Sequence, residues 1–131
     1  MIYLDSSALL KLVFCERESD TLQDWLLSRA GVPTVSNELA KVEVLRSCRR
    51  IDPSGLADAR SLLGQLDLVP LAGAVVDRAG EVEGPGLRSL DALHLASALL
   101  LGTDLDAFVA YDHRLLEAAA EAGLETYQPG A

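Results

Sequence analysis

Sulfur is scarce in this chain. Its two cysteines, Cys15 and Cys48, form neither a CxxC pair nor a zinc-like spacing, which excludes a thiolate metal site. Both lie in apolar helical contexts and are expected to be small buried thiols in a reducing, cytoplasmic setting. Basic charge is also short: 11 Lys and Arg stand against 20 Asp and Glu, for a net charge of -9. That excludes a protein that grips nucleic acid by bulk positive charge. It leaves room for one that reaches phosphates through bound metal and a few local arginines. Aromatics make up only 5% of the residues while half are hydrophobic, so the core is expected to be aliphatic. Long hydrophobic runs are missing. The most apolar stretch, Leu95 to Leu101, is far too short to span a bilayer. The opening residues lack a basic n-region and carry an acid at position 5, so no signal peptide is expected. There is no repeat, low-complexity tract or dividing linker, and 131 residues suffice for one domain over 1–131.

What is present is an alternation of short apolar runs with helical patterns. Ile2 to Leu4 suits a strand buried on both faces. Ser6 to Phe14 reads as an apolar helix. A second helix is expected from a Ser19 or Asp20 cap to Gly31. Val32 to Val35 reads as a strand that Pro33 demotes towards an edge or first-residue position. Ser36 or Asn37 then caps a helix through about Ile51. The turn Asp52-Pro53-Ser54-Gly55 leads to a helix over 56–66 and a brief strand at Asp67 to Val69. Helix is expected over 71–83, weakened by Gly73 and Gly80. Gly84-Pro85-Gly86 is a loop. A nearly all-round apolar helix covers 89–101, a strand covers 107–110, a helix covers 112–122 and a last strand covers 124–127. Strands alternating with helices imply an α/β fold with a parallel sheet covered on both faces.

The chemistry-bearing candidates are acids. Asp5 and Asp112 each follow an apolar strand and open a helix, at the sheet edge where active sites of parallel sheets collect. Each alone is explained as a helix cap, worth about 1 kcal/mol. Two on one edge, from neighbouring strands, point to a site. Asp91 opens the most apolar helix; the helix dipole favours it there, but a carboxylate on such a helix needs a partner, and Arg88 is the only basic residue close by. On the 38–51 helix, Glu38 and Glu43 are equally plausible acids. His94 is expected to be a packed, hydrogen-bonded histidine and His113 an exposed one. Arg46, Arg49 and Arg50 with Lys11 form a candidate basic rim for phosphates, or a solvated helix face. Asp104 and Asp106 fall at the wrong sheet edge.

Four motifs in order make this chain resemble a PIN-domain ribonuclease, specifically a VapC-type toxin of a bacterial toxin–antitoxin pair. They are Ile2-Tyr-Leu-Asp-Ser-Ser-Ala-Leu-Leu-Lys-Leu12, Ser36-Asn-Glu-Leu-Ala-Lys-Val-Glu-Val-Leu-Arg46, Leu90-Asp-Ala-Leu-His-Leu-Ala-Ser-Ala98, and Phe108-Val-Ala-Tyr-Asp-His-Arg-Leu115 with the later Gly123-Leu124. The resemblance covers nearly the whole chain. It implies a three-layer α/β/α PIN sandwich and a catalytic, metal-binding quartet of Asp5, Glu43, Asp91 and Asp112, choosing Glu43 over Glu38. It implies magnesium or manganese as cofactor, RNA as substrate, a VapB-type antitoxin as partner and commonly a homodimer. One departure stands out. The family often carries Thr or Ser two residues before its last acid, and here that residue is Ala110. Ser6 or Ser7 is the candidate to supply a hydroxyl instead.

Physics supports a cation among such acids. Two like charges about 5 Å apart repel by roughly 3 kcal/mol at an effective dielectric near 20, so four packed carboxylates protonate in part or take up a cation. All-oxygen donors select hard ions. Two other readings compete. One is a catalytically weak PIN-like module that binds RNA or a partner, motivated by Ala110 and the acidic surface. The other is a phosphatase or phosphoacceptor on a similar fold. Ser7 stands where many such phosphatases need a second Asp, and Tyr3-Leu4 is not the acidic pair of a phosphoacceptor.

Overall fold

The computed structural model describes all 131 residues. Five short strands form one parallel sheet: β1 (Ile2–Leu4), β2 (Thr34–Asn37), β3 (Asp67–Val69), β4 (Ala107–Val109) and β5 (Thr126–Tyr127). Their order is β3-β2-β1-β4-β5, so β1 is central. In register it pairs Tyr3 with Val35 of β2 and Leu4 with Val109 of β4. Helices α1 (Ser6–Val13), α2 (Ser19–Leu27), α3 (Glu38–Ile51) and α4 (Leu56–Gly64) lie between the first three strands. Helices α5 (Gly73–Ala79) and α6 (Ser89–Leu99) connect β3 to β4, and α7 (His113–Glu121) connects β4 to β5.

Strand periodicity sorts the core into two clusters. Ile2, Leu4, Ala107 and Val109 point to one face, where Leu9, Leu22, Val44, Cys48 and Leu63 of α1 to α4 cover them. Tyr3, Val35 and Phe108 point to the other, under Leu95, Ala98, Leu115 and Ala119 of α6 and α7. Alternate residues of a strand face opposite sides, so three-residue strands with apolar residues throughout serve both cores. Helix α5 packs against α6 on this second face. The result is the expected three-layer α/β/α sandwich.

Several local expectations are corrected. Pro33 does not put β2 at an edge; β2 lies between β3 and β1. The proline sits just ahead of the strand, where its missing N–H is not needed, and its carbonyl accepts the Ile2 amide at 2.9 Å. Cys15 is exposed, because α1 ends at Val13, while Cys48 is buried as expected. The helix expected over 71–83 shrinks to Gly73–Ala79, bounded by Pro70 and Gly80. Helix α6 is not buried all round, since Leu90 is exposed, as is Leu100 just past its end. No helix is long and apolar enough to cross a membrane.

Candidate active site

The site is built where the strands end. Asp5 follows β1 and caps α1, its Oδ1 accepting the Ala8 amide at 3.0 Å and the Ser7 hydroxyl at 2.6 Å. The Ser7 oxygen in turn accepts the Tyr111 amide at 3.2 Å. Asp5 is only 5% exposed. Burial pushes its carboxyl above the usual range and the charge of Glu43 adds to this, while His94, Ser7 and Ala8 oppose it. Asp112 caps α7 beside it, with Oδ1 accepting the Leu115 amide at 3.0 Å. Both acids therefore are caps, and both lie beyond neighbouring strands.

Helix α3 starts at Asn37, whose Oδ1 accepts the Ala40 amide at 3.0 Å and whose Nδ2 donates to Ser97 Oγ of α6 at 3.1 Å. This side chain locks the two helices that carry the other acids. Glu43, in the second turn of α3, has Oε1 accepting Ser6 Oγ at 2.6 Å and meeting His94 Nε2 at 2.8 Å. Burial raises the Glu43 carboxyl, but these two hydrogen bonds prevail and hold it below the usual range. Glu38, the alternative acid, points elsewhere: its Oε1 accepts the Leu71 amide at 3.2 Å. Asp91 lies one turn before His94 on α6, half-buried and in no ion pair with Arg88. Burial raises its carboxyl, and the charge of Asp112 adds to that.

The acids thus interact in two pairs, Asp5 with Glu43 and Asp91 with Asp112, and His94 Nε2 meets Glu43. No group of three or more His, Cys, Asp or Glu side chains is placed as a ready metal cage. The donor set nevertheless fits a hard cation. Asp5 Oδ2, Glu43 Oε2 and Asp112 Oδ2 have no side-chain or amide hydrogen bond, whereas the Asp91 carboxylate is turned back to the Arg88 amide. The raised carboxyls are those a cation would relieve.

The other expected site residues separate. Ser6 and Ser7 both touch acids, Ser6 donating to Glu43 and Ser7 to Asp5. Lys11 leaves the rim: its Nζ bonds Glu18 at 2.7 Å and Glu16 at 3.3 Å and lies 4.6 Å from the Tyr111 ring centre. Arg46, Arg49 and Arg50 are exposed, border a shallow open depression together and form no ion pair. Arg46 begins one turn past Glu43. His113 is exposed. Asp106 lies at the opposite sheet edge, its amide bonded to the Met1 carbonyl at 2.8 Å. The sequence placed His94 as packed and hydrogen-bonded and Asn37 as a candidate cap, but did not reveal what His94 holds, the part of Tyr3, or the Asn37 bond to Ser97. The spacing Asp91, His94, Ser97 was the available signal: three polar groups at intervals of three make one polar stripe on an apolar helix.

Comparison with known proteins agrees with this architecture. The PIN domain family pattern matches residues 2–121. Ribonuclease VapC35 of Mycobacterium tuberculosis is 42% identical over 132 residues, covering 99% of this chain and 98% of that protein. Ribonuclease VapC47 of the same organism is 42% identical over 134 residues, covering 100% of this chain and 98% of that one. Among solved structures, the M. tuberculosis toxin VapC20, which cleaves the sarcin–ricin loop, superposes with a TM-score of 0.76 at 14% identity, covering 98% of this chain and 100% of that one. The VapBC2 structure from Rickettsia felis, bound to a promoter DNA fragment, gives 0.75 at 13%, covering 98% and 99%. The chain belongs to the PIN-domain family and, within it, to the VapC-type ribonucleases.

Proposed function

We propose that this protein is a metal-dependent endoribonuclease toxin that hydrolyses RNA phosphodiester bonds and is neutralised by a VapB-type antitoxin. The observation that supports the reading is that Asp5 and Asp112 follow neighbouring strands, while Glu43, held by Ser6 and His94, bears on Asp5 and Asp91 bears on Asp112. The VapC ribonuclease relatives support the activity. The antitoxin is supported by the toxin–antitoxin complex among the structural neighbours.

Magnesium or manganese held by these acids would act as a Lewis acid on the scissile phosphate and acidify an attacking water. The chain's own part is placement. Ser7 and the Ala8 amide fix Asp5 through Oδ1 and leave Oδ2 available. Ser6 and His94 do the same for Glu43. Asp91 and Asp112 complete the negative wall from α6 and α7. Ser6 and Ser7 give their protons to carboxylates, so neither hydroxyl is free to act as a nucleophile. Arg46, Arg49 and Arg50 offer a path for RNA phosphates on an otherwise acidic protein.

Cleavage of structured and unstructured RNA with magnesium or manganese tests this. Asp5→Asn and EDTA should each abolish it. Cleavage surviving either one would sink the metal-quartet mechanism. Expression alone should slow growth of the host, and Asp91→Ala should relieve it. A homodimer in the cytoplasm is part of the same proposal, checked by light scattering and fractionation. A second reading, a catalytically weak RNA- or partner-binding module, draws on the lack of a ready metal cage. Tight RNA binding with no cleavage under any divalent ion would favour it.

A further inference from the structure

The best-ordered polar feature of the site is not one of the acids. His94 is 2% exposed and Tyr3 fully buried, and the Tyr3 hydroxyl lies 2.7 Å from His94 Nδ1. A neutral phenol at this distance is placed to give its proton to the ring nitrogen. Nδ1 then accepts, and the ring proton resides on Nε2. The other side of the ring gives the same answer independently. Nε2 faces Glu43 Oε1 at 2.8 Å and Ser6 Oγ at 3.1 Å. Ser6 has a single hydroxyl proton, and at 2.6 Å from Glu43 Oε1 it is directed there. An ionised Glu43 has no proton to offer. Only a proton on Nε2 makes these contacts attractive.

We propose that His94 is a positioning residue: Tyr3 sets its tautomer, and its Nε2–H, with the Ser6 hydroxyl, anchors Glu43 through Oε1 so that Oε2 is presented at a fixed place beside Asp5. This rests on the reading of Glu43 as a metal-binding acid, which it deepens. Glu43 comes from a long, flexible side chain in mid-helix, whereas Asp5 and Asp112 are short and fixed by their caps. Of the four acids, it has most need of an outside anchor. Tyr3 is suited to provide the reference point because it lies in the central strand, stacked on Phe108 with ring centres 5.4 Å apart.

The test begins without metal. Nitrogen-15 spectra of the His94 ring in the full-length protein should show Nε2 protonated and Nδ1 bare, and Tyr3→Phe should erode that preference. A ring protonated on Nδ1 in the wild type overturns the proposal. Carbon-13 spectra of the Glu43 carboxyl should shift in His94→Leu and return in His94→Gln, whose amide N–H can replace Nε2–H. An unmoved Glu43 signal also overturns it. Manganese titration should then show affinity weakened about 10–100-fold in His94→Leu and largely recovered in His94→Gln. Equal loss in both variants would reduce His94 to a packing role. Absence of manganese binding by the wild type would refute the metal reading itself, and the nitrogen and carboxyl spectra would still decide the clamp. Should His94→Leu not fold, the wild-type and Tyr3→Phe spectra carry the decision.

Discussion

The Ser7 hydroxyl joins the two strand ends that carry the site. It donates to Asp5 Oδ1 at 2.6 Å and accepts the Tyr111 amide at 3.2 Å, so the residue after β1 and the loop before Asp112 are held by one oxygen. Ser7→Ala leaves a part-buried amide and a carboxylate short of partners. Loss of about 1–3 kcal/mol is expected, read from urea unfolding, with slower RNA cleavage at unchanged metal concentration.

That hydroxyl also bears on Ala110, where the family often has Thr or Ser. Ala110 is fully buried within the second core, so a larger side chain must fit among packed neighbours. Ala110→Thr is therefore expected to overpack the core, at a cost of about 1–3 kcal/mol, without increasing cleavage. A stable variant with faster cleavage would show that the missing hydroxyl matters.

Capping and chemistry can be separated at Asp112. Asn keeps a side-chain oxygen for the Leu115 amide, and Ala does not. Asp112→Asn should melt near the wild type, while Asp112→Ala should lose about 1 kcal/mol. Both should lose cleavage, since both lose the charge. Activity retained in the Asn variant would reduce Asp112 to a cap.

The raised carboxyls of Asp5 and Asp91 give a pH dependence with a definite sign. In the window above the unfolded value and below the folded one, the folded state holds more protons, so stability falls as pH rises through it. Asp5→Asn keeps an oxygen for the cap and removes the buried charge. It should melt higher than the wild type at neutral pH, and the difference should shrink as pH falls and the wild-type carboxyl protonates. Magnesium should raise the melting temperature of the wild type and not of this variant.

Three free arginines on one depression predict a salt effect. Replacing Arg46, Arg49 and Arg50 with Ala should weaken single-stranded RNA binding. The slope of log affinity against log salt should flatten by about 2 units, roughly 0.7 for each lost phosphate contact. Folding should be unaffected, because none of the three takes part in an ion pair or side-chain hydrogen bond.

The layered fold was legible because each short apolar strand ends against a helix signal: Asp5, Asn37 and Asp112 all proved to be caps. What misled were features whose meaning depends on neighbours. Pro33 reads as a marker of either an edge or a strand start, and only the sheet order shows that it stands just ahead of an interior strand. Cys15 reads as buried until α1 stops two residues earlier. Of the candidate site, the strand-end acids stand out by position and Asp91 by its setting. Glu43 could not, because its partners Ser6 and His94 lie 37 and 51 residues away and no local pattern links them. Only the family resemblance singled it out.

The central position of β1 has a consequence for synthesis. Asp5 leaves the ribosome well before Ala107 to Val109, the β4 neighbour of its strand, and Asp112 comes later still. Domains fold as units once their sequence has emerged. A nascent or prematurely released chain therefore carries the first acids without their assembly. Under the proposed function, RNA cleavage waits until Asp112 has joined the earlier acids, and products truncated before it would be harmless to the RNA around them.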